Sequence, residues 1–155
     1  MRIKKIKITS DNKIKVAYEK RNKIGWDEYS FACSDEPRPE LYTALKALAP
    51  HVIEMCELPE DYLPRIDVRG VTYSYGGENE VMGATIVSQM KLENSYVKLN
   101  LNTPHKASEP YSENSPPDEM QLLTDDCIDA LEELCEEVNL YIEGERAQQT
   151  LFAAV

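Results

Sequence analysis

Over the first 33 residues apolar positions alternate with polar ones, the period of a strand that turns one face to a core. In RIKKIKITS, Ile6 and Ile8 share one face and Lys5 and Lys7 the other. After turn residues Asp11 and Asn12, KIKVAYEKR sets Ile14, Val16 and Tyr18 against Lys13 and Lys15. Two such runs around a short polar turn predict a β-hairpin. A second turn over residues 22–25 leads to WDEYSFAC, a third strand in which Tyr29, Phe31 and Cys33 are expected to face inward.

The period then changes. In PELYTALKALAPHVIEMCEL the residues Leu41, Leu45, Leu48, Val52 and Met55 recur at helical spacing and predict an amphipathic helix. Pro50 lies inside it; lacking an N–H and colliding with the preceding turn, it must kink the helix or start a second one. LPEDYLPR breaks the pattern. IDVRGVTYSYG, EVMGATIVSQMKL and YVKLNLN predict three more strands, the last alternating Val97, Leu99 and Leu101 with Lys98, Asn100 and Asn102. Residues 102–118 read as a polar loop, too rich in Pro, Ser, Glu and Asn to join a core. A final helix starts at Thr124, with Asp125 and Asp126 in the first turn where the helix dipole favours acids, and stops at Gly144. Its apolar stripe is Ile128, Leu131, Leu134, Cys135 and Val138, reaching Ile142.

The order is βββα, twice. It predicts an α+β fold: one domain over residues 1–144, made of two βββα units (1–58 and 65–144), with antiparallel sheet and helices packed on one face, followed by a tail at 145–155. A chain of 155 residues with 42% hydrophobic content can bury one core without staples. The four cysteines, Cys33, Cys56, Cys127 and Cys135, form no CxxC and have no histidine at ligand spacing, so they read as buried thiols. There is no run of 18 apolar residues, and the first strand alternates where a signal peptide is continuously apolar. The expectation is a cytoplasmic protein with no membrane span.

Charge divides the chain more sharply than its total of −11 suggests. Residues 1–25 hold nine Lys or Arg and two acids, Asp11 and Glu19, whereas residues 107–145 hold thirteen carboxylates and no Lys or Arg. Such asymmetry points to a nucleic acid, to a basic protein partner, or to solubility alone.

Catalytic chemistry finds little support. His51 and His105 have no sequence partner that would make a nucleophile and base, and YGGENEVMG matches neither phosphate-loop pattern; a hairpin turn accounts for Gly76 and Gly77. Grouped carboxylates can hold Mg²⁺, but those of the last helix stand beside no lysine that would assist. The expectation is a protein that is not an enzyme, with no cofactor and no metal. Two charged surfaces remain. Lys5, Lys7, Lys13 and Lys15 could neutralise phosphates, although lysine also protects edge strands from aggregation, and the nearest stacking aromatics, Tyr18 and Trp26, are not interleaved with them. Asp125, Asp129, Glu132, Glu133, Glu136 and Glu137 form an acidic face; it resembles the DNA mimics among inhibitors of restriction and CRISPR systems, and an ordinary solvated helix face has the same composition.

The tail carries the most specific motif. Gln148-Gln149-Thr150-Leu151-Phe152 resembles the bacterial sliding-clamp-binding peptide, a glutamine, two variable residues, then leucine and phenylalanine. The resemblance implies that Gln148 hydrogen-bonds at the rim of a clamp pocket while Leu151 and Phe152 fill its apolar interior. Gln149 departs from the leucine common at the second position, and Thr150 stands where serine or aspartate is frequent. The alternative is that Leu151 and Phe152 fold back onto the core. Segments IKITSDNKIKVAYEKRNKIGWDEYSF and RGVTYSYGGENEVMGATI resemble uncharacterised proteins carried by prophages of Gram-positive bacteria, which implies a mobile-element setting and no particular activity. The expected function is therefore a non-enzymatic accessory protein of phage or mobile-element DNA metabolism, docked on the host sliding clamp. One alternative is an acidic, DNA-mimic-like inhibitor of a host defence complex of the anti-CRISPR or anti-restriction type. Another is a small-ligand binder or oligomeric scaffold, with a pocket lined by Tyr29, Tyr73 and Tyr75.

Overall fold

The computed structural model describes residues 1–111 and 119–147. Three strands, β1 (Arg2–Ile8), β2 (Ile14–Arg21) and β3 (Trp26–Cys33), precede helices α1 (Pro39–Lys46) and α2 (Ala49–Met55). A 3-10 segment, Glu60–Arg65, leads to β4 (Ile66–Gly76), β5 (Val81–Met90), β6 (Leu99–Asn102), β7 (Lys106–Ala107) and α3 (Asp125–Ile142). The strands form one antiparallel sheet in the order β3-β2-β1-β4-β5-β6, with β7 pairing β5 beside β6. The first three strands and the last four thus share one sheet. Their seam is β1 against β4, with only three paired positions: Lys5 with Thr72, Ile6 with Val71 and Lys7 with Gly70.

The helices pack on one face. There Ile3, Ile6, Ile14 and Val16 of the hairpin meet Val71, Tyr73 and Ile86 of the central strands under Leu41, Leu45, Leu48, Val52, Leu131, Leu134 and Val138. Burying each such side chain contributes about 1.5–3 kcal/mol, which is what the two sequence periods achieve by pointing at one layer. Pro50 begins a second helix: it lies in the first turn of α2, where its missing N–H has no partner to lose. Thr124 caps α3, its hydroxyl accepting from the Cys127 N–H at 3.2 Å. The buried stripe of α3 is Cys127, Leu131, Leu134, Val138 and Tyr141, so Ile128, Cys135 and Ile142 are its half-buried flank. Gly144, at φ 104°, ends the helix as expected.

Three details differ from the sequence reading. Tyr29, Phe31 and Cys33 do occupy the helix-side rows, opposite Tyr18, Val16 and Ile14. Yet β3 is an edge strand: Phe31 still reaches Tyr141 of α3, with ring centroids 6.3 Å apart, while Tyr29 is 44% exposed, stacked on Tyr18 with centroids 5.3 Å apart. The last predicted strand is shorter, because β5 ends at Met90, opposite Leu99, and leaves residues before Leu99 nothing to pair with; Val97 is 76% exposed. The polar loop rejoins the sheet. Thr103 and Ala107 are buried, β7 pairs with Gly83 and Ala84, and Ile86 and Thr103 exchange hydrogen bonds through the Thr103 amide (3.0 Å) and hydroxyl (2.9 Å). Among the described residues no helix is long and apolar enough to cross a membrane.

Candidate nucleic-acid interface on the uncovered sheet face

Strand alternation sends every second side chain away from the helices. Register then assembles rows across the sheet: Ala32, Lys15, Lys7, Gly70, Val87 and Asn102 in one, Ser30, Ala17, Lys5, Thr72 and Thr85 in the next. Thr72 is exposed although it lies on a central strand, so among the described residues no element covers the face there. Lys5, Lys7 and Lys15 project from it, and Lys13 stands in the β1–β2 turn beside them. None of the four has an ion-pair partner among the described residues. Lys7 and Lys15 are direct cross-strand partners. Like charges so placed destabilise a strand pair; Asp11, in the same turn, is close enough for Lys13 and Lys15 to favour its charged form.

Neighbouring cations are already engaged. Glu19, only 5% exposed, takes Arg2 Nε at 2.7 Å and Lys4 Nζ at 3.8 Å. The Arg2 guanidinium also lies 3.8 Å from the Trp26 ring centroid and 4.5 Å from that of Tyr75. Trp26 donates its indole N–H to Glu80 at 3.3 Å. Trp26 is therefore tied into an ion-pair cluster, and Tyr18 faces the helix side, so neither supplies a free stacking platform to the lysines.

His105, which has no signal in sequence, lies against the same face. Its Nε2 is 2.9 Å from Ser74 Oγ and its Nδ1 3.1 Å from Thr85 Oγ1. Gly83 makes room for it, because a Cβ there would sit 2.6 Å from Nε2. Beside Lys7, a cavity of about 460 Å³ opens between the β1–β2 turn, Arg69 and the amides of β5 and β6.

Burial pushes the Cys127 and Cys135 thiols up to about 11, which keeps them protonated at neutral pH. Among the described residues no group of three or more His, Cys, Asp or Glu could hold a metal ion. Tyr73 and Tyr75 do not line a pocket with Tyr29. They donate to the carbonyls of Leu131 (2.9 Å) and Ile3 (2.8 Å), while Tyr29 stacks on Tyr18 three strands away.

On the helix side, Asp125, Asp129, Glu132, Glu133 and Glu136 are exposed and without an ion pair among the described residues, whereas Glu137 turns to Arg38 at 3.6 Å. Basic and acidic surfaces thus lie on opposite sides of the domain. The docking motif Gln148, Leu151 and Phe152 lies outside the described residues. The last of these is Ala147, whose amide donates to the Glu36 carbonyl at 2.9 Å, while the Arg146 guanidinium sits 3.4 Å from the Tyr141 ring centroid. Comparison with protein-family models, with curated proteins and with solved structures finds no match to the chain in any of the three.

Proposed function

We propose that the chain is a non-enzymatic accessory protein of phage or mobile-element DNA metabolism that holds a nucleic-acid backbone on its uncovered sheet face while its tail docks on the host sliding clamp. The observation that carries the first half is the opposition of Lys7 and Lys15, two cations without an ion-pair partner among the described residues, held side by side on an open surface. A phosphate backbone supplies the missing charge, and each phosphate neutralised releases counterions. The second half rests on the tail motif. A peptide that buries two apolar side chains binds weakly alone, since ordering it opposes the gain. A second contact on the DNA that threads the clamp turns docking into an intramolecular step and raises the effective concentration to the millimolar range.

The test is a titration of purified sliding clamp with the wild-type protein and with a Leu151→Ala, Phe152→Ala variant. The variant should lose clamp binding and keep its affinity for DNA. Equal clamp binding by both proteins removes the docking half. The exposed carboxylates of α3 favour a second reading, an acidic inhibitor seated in the basic groove of a host defence protein. Reversing Glu132, Glu133 and Glu136 to lysine should then abolish capture of that protein, and unchanged capture would dismiss this alternative.

A further inference from the structure

The cavity beside Lys7 lies at the corner of the uncovered face, where the β1–β2 turn, the bulge between Val68 and Gly70 on β4, and the edge pair β5–β6 converge. Its two walls differ in chemistry. One is cationic: Lys7 is unpaired, and Arg69 is held in place by donating from Nη2 to the Thr9 carbonyl at 2.7 Å. Asp67 pairs with Arg69 Nη1 and with Lys98 Nζ, each at 3.5 Å, and does not itself line the cavity. Ser10 also lines the cavity.

The other wall is made of amides. Gln89 and Asn100 are cross-strand partners, and Gln89 Nε2 donates to Asn100 Oδ1 at 3.3 Å. That bond leaves the Gln89 carbonyl oxygen and the Asn100 amide N–H₂ unspent, side by side. Turning both amides over leaves the same pair of one acceptor and one donor. Asn102, two residues along β6, adds a further amide, and Val87 between the walls gives an apolar patch of floor. An adjacent donor and acceptor on amide side chains match adenine, which offers N6–H₂ and N7 on one edge. The volume, about 460 Å³, falls in the range of roughly 300–1,000 Å³ usual for small-ligand sites.

We infer that this cavity is an adenine-nucleotide subsite, with the phosphate on Lys7 and Arg69 and the base edge on Gln89, Asn100 and Asn102. It rests on the reading of the uncovered face as a nucleic-acid surface and adds base preference to it. The lysines alone bind any backbone. The amides make one position along a single strand selective.

The experiment measures binding of labelled oligo-dA and oligo-dT of equal length to the wild-type protein and to an Asn100→Ala, Asn102→Ala variant. Both residues are exposed on an edge strand, and matching circular dichroism and melting curves establish that the variant is folded. The wild type should prefer oligo-dA by about tenfold, the ratio that corresponds to one good base contact, and the variant by less than about twofold. A Gln89→Leu variant should lose the preference equally. Displacement of the oligonucleotide by dAMP supports the subsite with a free nucleotide as its source, and a retained oligo-dA preference without displacement supports it with a strand as its source. Binding without preference, or a preference that survives in both variants, overturns the inference alone. No binding to either oligonucleotide overturns the proposed nucleic-acid surface and the inference with it.

Discussion

Gly70→Ala tests the seam on which the two halves, and the lysine face above them, depend. Gly70 pairs with Lys7, one of only three positions that join β1 to β4. A Cβ at residue 70 would fall inside contact distance of the Ile6 carbonyl oxygen and 2.9 Å from Lys7 Cα. Both are backbone atoms of the neighbouring strand and cannot rotate aside, so the strands must part. Overpacking of this kind costs about 1–3 kcal/mol, and each ladder hydrogen bond lost with it about 1 kcal/mol more. The expected loss is about 2–4 kcal/mol, a fall in Tm of roughly 5–15 °C for a chain of this size. Urea unfolding should show a lower midpoint at an unchanged slope. Gly25→Ala is the control, because nothing lies within 4 Å of a Cβ there, and it should stay within about 0.5 kcal/mol of wild type. Near wild-type stability of Gly70→Ala, or equal losses in both variants, would refute the close-approach argument.

Other consequences are as direct. Thr103→Val keeps the shape but removes the hydroxyl that accepts from the Ile86 N–H, and leaving that buried donor unpaired should cost about 1–3 kcal/mol in denaturant unfolding. Tyr73→Phe loses the bond to the Leu131 carbonyl, which remains within a helix, so the loss should be smaller, about 1 kcal/mol in the same assay. The Cys127 and Cys135 thiols titrate higher in the fold, about 11, than in the unfolded chain. Above the ordinary thiol range the unfolded state therefore binds fewer protons, and stability present below about pH 9 should fall between pH 9 and 11 by up to about 1.4 kcal/mol per pH unit for each thiol. A Cys127→Ala, Cys135→Ala variant should show a shallower slope between pH 9 and 10, below the range in which buried Tyr73, Tyr75 and Tyr141 add their own, and thiol-reagent labelling at pH 8 should leave both cysteines unmodified until the protein is unfolded.

Much of the architecture is legible because it rests on period. Ile6, Ile8, Ile14 and Val16 alternate strictly and are buried, and Leu41, Leu45, Leu48 and Val52 recur helically and are buried. Where a side chain's fate depends on which strand is its neighbour, period says too little. Tyr29 has the right parity and the wrong burial because β3 is an edge, and Val97 alternates with no partner to pair against. Thr103 and Ala107 sit in polar surroundings that hide their return to β5. The candidate site divides in the same way. Lys5, Lys7 and Lys15 on one pleat face are visible in the alternation. The direct opposition of Lys7 and Lys15, the capture of Arg2 and Lys4 by buried Glu19, the seat of His105 on Ser74 and Thr85, and the pairing of Gln89 with Asn100 all depend on register between segments far apart in sequence.

The cationic face is most directly tested by the salt dependence of single-strand DNA binding, measured by anisotropy for the wild type and for a Lys5→Gln, Lys7→Gln, Lys15→Gln variant. Each phosphate contact on a single strand contributes about 0.7 to the slope of log K against log salt, so three lysines on the backbone predict a slope shallower by about two in the variant. Its unfolding midpoint should be equal or higher, since the repulsion between Lys7 and Lys15 is gone. An unchanged slope, or no binding by the wild type at low salt, would contradict the account.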